Sequence, residues 1–236
     1  MASPTIDPTV PMPIPSTQPT PPLENGDRLT RDEFERRYQA MPKGTKAELI
    51  EGVVYMPSPV RLEQHGEPHW DLVVWMGNYR MLTPGVRGGI SSTIRLDLDN
   101  EPQPDGVLFY AGAKVHIDED GYISGAPQLA GEITASTVSI DLNNKLNAYR
   151  RNEILEYLVW RVEDQAVDWF ILRKGRYEHL PLSPDGYLKS EAFPGLWLDS
   201  AALLKGDLGR VHQVLQEGLN TPEHAAFVAR LNEASR

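Results

Sequence analysis

Apolar residues recur at two periods along this chain, one helical and one extended, and the switches between them mark its elements. Phe34 and Tyr38 share a helical face behind Thr30-Arg31-Asp32-Glu33, which reads as a capping box, and Met41-Pro42 ends that helix. Two short apolar strands flank Glu51-Gly52 between Lys46 and Met56, which predicts a hairpin. Leu72, Trp75, Met76 and Tyr79 fall at helical spacing within 70–82, and Pro84-Gly85 closes that segment. From Val86 the period shortens to that of strands, with candidates at 92–97, 105–110 and 128–134. A helix is predicted over 139–151, with Leu142, Leu146 and Tyr149 on one face, followed by strands at 157–162, 167–172 and 177–182. His224, Phe227, Val228 and Leu231 then mark an amphipathic helix, read as an appendage or partner contact. The tryptophans at 70, 75, 160, 169 and 197 are expected in the core or half-buried on strands.

Strands interleaved with helices predict an α/β fold. One domain is expected over 28–205, with order beginning near Leu29 and a helical tail over 206–236. Residues 1–27 are expected to be disordered, since eight of the chain's 20 prolines lie in the first 22 residues. That segment lacks the basic start and apolar stretch of a secretion signal, so a cytoplasmic address is expected. No apolar run is long enough to span a bilayer, which excludes a membrane partner. The absence of cysteine excludes disulfides, thiol nucleophiles and iron–sulfur clusters. A net charge of −10 disfavours nucleic-acid binding through a broadly basic surface. The better place for a local contact is 142–176, where seven basic side chains face five acids.

Three features carry candidate chemistry: Glu48 in a strand, Asp105 at a strand start, and Glu132 in a strand ahead of Lys145 on a helix. Two carboxylates from adjacent strands can share a divalent cation, and oxygen ligands suit Mg2+ or Mn2+. A nearby lysine can counter phosphate charge, which completes the parts needed to hydrolyse a phosphodiester. Strand alternation puts Glu132 and Thr134 on one face and Ile133 on the other. Thr134 thus fills the slot of an acid-x-lysine motif, and Lys145 could supply the charge from the next helix, with Asp141 one turn earlier. His65 and His69 stand at i, i+4. Pro68 disfavours a continuous helix through them, so a structural role or helix-entry contact is expected.

The chain resembles the Uma family of predicted restriction endonucleases, within the PD-(D/E)XK nuclease superfamily. The likeness runs from about Leu29 to Leu204 through an ordered series of pieces: Glu48-Leu-Ile-Glu-Gly52, Met56-Pro-Ser-Pro59 with His65, Gln103-Pro-Asp105, Gly131-Glu-Ile133, Asp141-x-x-x-Lys145-x-x-x-Tyr149, Glu156-Tyr157 and Phe193-Pro-Gly-Leu196. The resemblance implies a restriction-endonuclease-like mixed β-sheet flanked by helices. It implies Mg2+ or Mn2+ held by Asp105, Glu132 and the Ile133 carbonyl, with Lys145 as a displaced catalytic lysine and Glu48 as an auxiliary acid. The implied activity is metal-dependent DNA endonuclease. RNA is a second candidate substrate, and a homodimer stays open because double-strand cleavage usually needs two active sites. The alternative is a binding or assembly module of the same fold without turnover.

Overall fold

The computed structural model describes residues 19–57, 59–110, 115–135 and 137–234. Helix α1 (Arg31–Gln39) precedes a hairpin of β1 (Glu48–Ile50) and β2 (Val53–Tyr55). A π-type turn at Leu62–Gly66 runs directly into α2 (Glu67–Met81). Then come β3 (Val86–Ile90), β4 (Ile94–Arg95), β5 (Gly106–Tyr110), β6 (His116–Ile117), β7 (Ile123–Ser124) and β8 (Leu129–Thr134). A second π-type turn, Ile140–Lys145, opens α3 (Leu146–Arg151). Strands β9 (Glu156–Arg161), β10 (Ala166–Arg173), β11 (Arg176–His179), β12 (Leu188–Lys189) and β13 (Trp197–Leu198) follow. Helices α4 (Ser200–Leu204), α5 (Leu208–Leu219) and α6 (Pro222–Ala234) complete the described chain.

The central sheet has the order β11-β10-β9-β8-β5-β3. Only β8 and β9 pair in parallel, so the sheet is mixed and flanked by helices, as expected. A parallel pair needs a crossover, and the Ile140–Lys145 turn with α3 supplies it. Alternation along β8 then sorts its side chains. Leu129 and Ile133 join Leu72, Trp75, Tyr79, Leu158 and Trp169 in the larger core, under α2, α5 and α6. Ala130 faces the other way, into a smaller core with Tyr149, Tyr157 and Val159 under α3.

Several sequence expectations need correction. Thr30 sits at the N-cap of α1 with extended backbone, but its side chain makes no capping bond. Glu33 is drawn away by Arg36 and Arg37, each at 2.7 Å, because two charge-assisted bonds outweigh one cap. Order begins before Leu29: Leu23 is buried against Phe34, Leu49 and Val54, and Gly26 N donates to Val54 O at 2.8 Å. The expected disorder of residues 1–18 falls outside the described residues. The C-terminal helices are no appendage, since Val211, Leu215, Phe227 and Leu231 belong to the larger core. In the 92–97 segment only Ile94–Arg95 is strand, paired with β7 outside the central sheet. The sheet's edge is instead β3, with Gly88 and Gly89 against β5. Trp70 lies exposed on α2.

The N-terminal corner is tied to the rest by Glu101, whose backbone exchanges hydrogen bonds with Leu49 at 2.7 and 3.2 Å. Its carboxyl is buried, and Oε2 meets no donor. Burial and the neighbouring Glu35 carboxylate push its pKa up to about 8. A proton on Glu101 turns this acceptor-only pair into a hydrogen bond. The folded pKa lies above the ordinary 4.5, so this contribution to stability is complete below about pH 4.5 and is lost as pH rises through 8. Glu101→Gln mimics the protonated form. Thermal melts should show it level with wild type at pH 4.5 and more stable at pH 9, by on the order of 2 kcal/mol. Equal melting at both pH values would remove the shared proton from this account.

Candidate active site

Register and alternation bring the candidate residues to one end of the sheet. Gly106 pairs with Gly131, and a Cβ on either would run into the α2 side chains Leu72 or Met76. Glu132, next to Gly131, therefore turns away from α2, while Asp105, just ahead of β5, reaches the first turn of that helix at His69. Asp105 has just left the ladder, and its Oδ2 accepts from Ile133 N at 2.7 Å, replacing the strand pairing that ends there. Glu132 points toward α3, where Lys145 and Tyr149 meet it from successive turns of the crossover. Lys145 Nζ lies 2.9 Å and Tyr149 Oη 3.0 Å from the same oxygen, Glu132 Oε1.

Lys145 is the hub. Besides Glu132 it reaches Glu48 Oε2 at 3.1 Å and Asp141 Oδ1 at 3.6 Å. Glu48 is not turned to solvent. Its other oxygen accepts from Gln103 N at 2.8 Å, so it ties the hairpin both to Lys145 and to the loop that delivers Asp105. Asp141 is oriented by Thr137, whose hydroxyl donates to Oδ2 at 2.7 Å. Glu132 and Lys145 are 4% and 5% exposed, so these charges interact with little screening. Burial pushes the Glu132 carboxyl well above the usual range; Lys145 opposes this, while Asp141, Asp105 and Glu48 add to it. Burial alone would depress Lys145, but Glu132, Glu48 and Asp141 outweigh it and hold the ammonium well above its ordinary value. Lys145 is charged and Glu132 accepts from it. The centre nonetheless holds more buried carboxylate than cation, which adds to the upward push that burial gives Glu132.

The structure adds two residues to the other side of Asp105. His65 Nε2 lies 3.2 Å and His69 Nε2 4.0 Å from Asp105 Oδ1. Burial raises the Asp105 carboxyl, but the hydrogen bond and charge of His65 outweigh it and hold the group below its usual value. Asp105 in turn holds His65 above its ordinary value. The expectation that Pro68 breaks the helix between the histidines fails. Pro68 falls in the first turn of α2, where a missing N–H costs nothing, and the π-type turn before it continues the helical path. The i, i+4 spacing was the signal in the sequence.

The expected nucleic-acid contact over 142–176 is largely neutralised. Arg151 pairs with Glu51, Arg161 with Asp168 and Arg173 with Glu191, while Arg150 donates to the Gly175 carbonyl. Among the described residues no helix is long and apolar enough to cross a membrane.

The family model Uma2, whose printed description is "Putative restriction endonuclease", matches residues 31–201. A crystal structure from Anabaena variabilis ATCC 29413, described as a "putative nuclease belonging to DUF820", superimposes with a TM-score of 0.53 at 15% identity, covering 79% of this chain and 99% of that one. That likeness is one of fold. No curated protein matches the chain.

Proposed function

Because the chain belongs to the Uma2 family, we propose that it is a metal-dependent endonuclease that hydrolyses phosphodiester bonds in DNA. The observation that carries this reading is the gathering of Glu132, Glu48 and Asp141 around Lys145, with Asp105, just ahead of β5, bonded to the neighbouring Ile133 N and adding its charge at Glu132. These residues fit a divalent cation, since Glu132, Glu48 and Asp141 outnumber the single lysine they surround and Asp105 adds its charge to that felt by Glu132. Asp105, Glu132 and the Ile133 carbonyl would hold the ion. With oxygen ligands alone, Mg2+ or Mn2+ suits the set. Such an ion, when bound, supplies charge stabilisation at the phosphate and an acidified water.

The chain's own residues do the rest. Lys145, oriented by three carboxylates, places a fixed positive charge where phosphoryl charge develops, with no reorganisation at the moment of reaction. Glu48 positions that lysine and the Asp105 loop together. Backbone phosphates have a place to go. A cavity of about 420 Å³ opens along β3, lined by Arg80, Arg87, Ser91, Ser92 and Tyr122. It adjoins the site through Ser91, whose N–H donates to Asp105 O at 3.3 Å. Arg87 stacks over Phe109, and neither arginine has a carboxylate partner among the described residues. Breaking both strands of a duplex would call on two copies of the chain, so a homodimer belongs to this reading.

The test is cleavage of DNA and of RNA by purified protein with Mg2+ or Mn2+. Chelator should abolish it, and Asp105→Asn and Glu132→Gln should each lower it by about 10²–10³-fold while remaining folded. Identical behaviour of wild type and Glu132→Gln on every substrate with either ion would leave a binding module of the same fold without turnover.

A further inference from the structure

Resting on the metal-dependent reading and revising its ligand set, we infer that His65 and His69 bind the ion together with Asp105, so that the chain takes an imidazole-preferring first-row transition ion of the Fe2+, Co2+ or Zn2+ kind where oxygen ligands alone would favour Mg2+. The ligand atoms of the three side chains lie within 4.8 Å of one another. Metal–nitrogen and metal–oxygen bonds of about 2.0–2.2 Å hold neighbouring ligands of a four-coordinate ion roughly 3.3 Å apart. The Asp105–His65 separation of 3.2 Å is already at that value, and the Asp105–His69 separation of 4.0 Å needs a small closure. His69 Nε2 now bonds the Asp105 carbonyl at 2.9 Å and would exchange that bond for the ion.

The local fold presents the pair. His65 lies in the last turn before α2 and His69 in the first turn of α2, so one helical path carries both rings on one face, their centroids 5.5 Å apart. Asp105 enters from β5 opposite them, its carboxylate already fixed through Oδ2 by Ile133 N. Two imidazoles and one carboxylate, with further positions left open, form a donor set suited to Zn2+ or Fe2+ and poorly matched to Mg2+, which prefers oxygen and retains its waters. Glu132 is differently placed. Its Oε1 already accepts from both Lys145 and Tyr149, whereas Asp105 Oδ1 meets only the histidines among the described residues.

The experiment is calorimetric titration of the full chain with Zn2+, Co2+ and Mg2+, each alone, and proton NMR of the Co2+-loaded protein. A purely carboxylate site also favours Zn2+ over Mg2+, so the histidine variants decide. His65→Ala and His69→Ala should each weaken Zn2+ binding at least tenfold. The Co2+ form should show two hyperfine-shifted, solvent-exchangeable imidazole N–H resonances, one missing in each variant. His65→Gln, which keeps most of the side-chain bulk, should behave as His65→Ala if the effect is ligation and not folding. If the ion binds with unchanged affinity in the histidine variants and no shifted imidazole resonance appears, the inference is overturned while the carboxylate-held ion of the nuclease reading stands. If no divalent ion binds wild type at all, both fall.

Discussion

Lys145→Met is expected to lose both stability and turnover. The substitution keeps a similar unbranched bulk and removes the cation that lies within 2.9–3.6 Å of Glu132, Glu48 and Asp141. Breaking a buried ion pair from one side costs about 3–5 kcal/mol, because the partners stay buried without compensation. Here three partners are stranded, and Glu132 is already pushed toward its neutral form. Urea unfolding in the presence of chelator should show that loss, and the thermal midpoint should fall by about 10 °C for a chain of this size. Measured well below that midpoint, phosphodiester cleavage should still be at least ~10²-fold slower, since a fixed charge at the developing phosphoryl oxygens is gone. A variant as slow as this but fully stable would place Lys145 in the chemistry alone. One that is unstable yet cleaves normally when folded would make it a structural counter-ion.

The second large effect concerns Glu156, which the family-like Glu156-Tyr157 piece makes look like a site residue. Its carboxylate lies in the larger core, remote in role from Lys145. It accepts from Glu191 N at 2.7 Å, Ala192 N at 2.8 Å, Ser190 Oγ at 2.7 Å and Trp169 Nε1 at 3.2 Å. Burial pushes its pKa up, and those four donors oppose the push. A single carboxylate thus fastens the segment before β13 to the central sheet. Glu156→Ala strands two buried donors, Ser190 Oγ and Trp169 Nε1, and two part-buried backbone N–H groups, so a loss of about 2–4 kcal/mol is expected, at about 1–3 kcal/mol for each buried donor. Glu156→Gln keeps one acceptor oxygen and should lose roughly half as much. Zn2+ binding by the folded fraction should be unchanged. If Glu156→Gln is as stable as wild type but fails to cleave DNA, the residue belongs to the site and not to the anchor.

Much of the site was legible because strand geometry is local. Alternation in β8 depends on backbone pleat alone, so the common face of Glu132 and Thr134 and the opposite face of Ile133 followed from their spacing. The approach of Lys145 from the following helix likewise needed only a crossover of the right length. What Lys145 would meet was not local. Glu48 and Gln103 are 55 positions apart and come together only when the hairpin docks beside the β5 loop.

The histidines show the limit most clearly. A proline between two residues argues against a helix, and that inference is sound for a helix interior. Whether Pro68 lies in an interior or in a first turn depends on where the helix begins, and here the π-type turn that runs into α2 decides it. The Glu33 half of the capping box failed for a local reason: Arg36 and Arg37, three and four residues on, are stronger partners than the Thr30 backbone. The C-terminal amphipathic face was correctly read as a helix, but only its docking on α2 and the sheet made it core. Along this chain, spacing by itself determined most of the elements, though not the edge strand β3, and which way the side chains of β8 point, because those follow from short-range backbone geometry. Tertiary structure alone decided what each buried charge meets, because its partners arrive from distant segments and their energies depend on burial that no local pattern encodes.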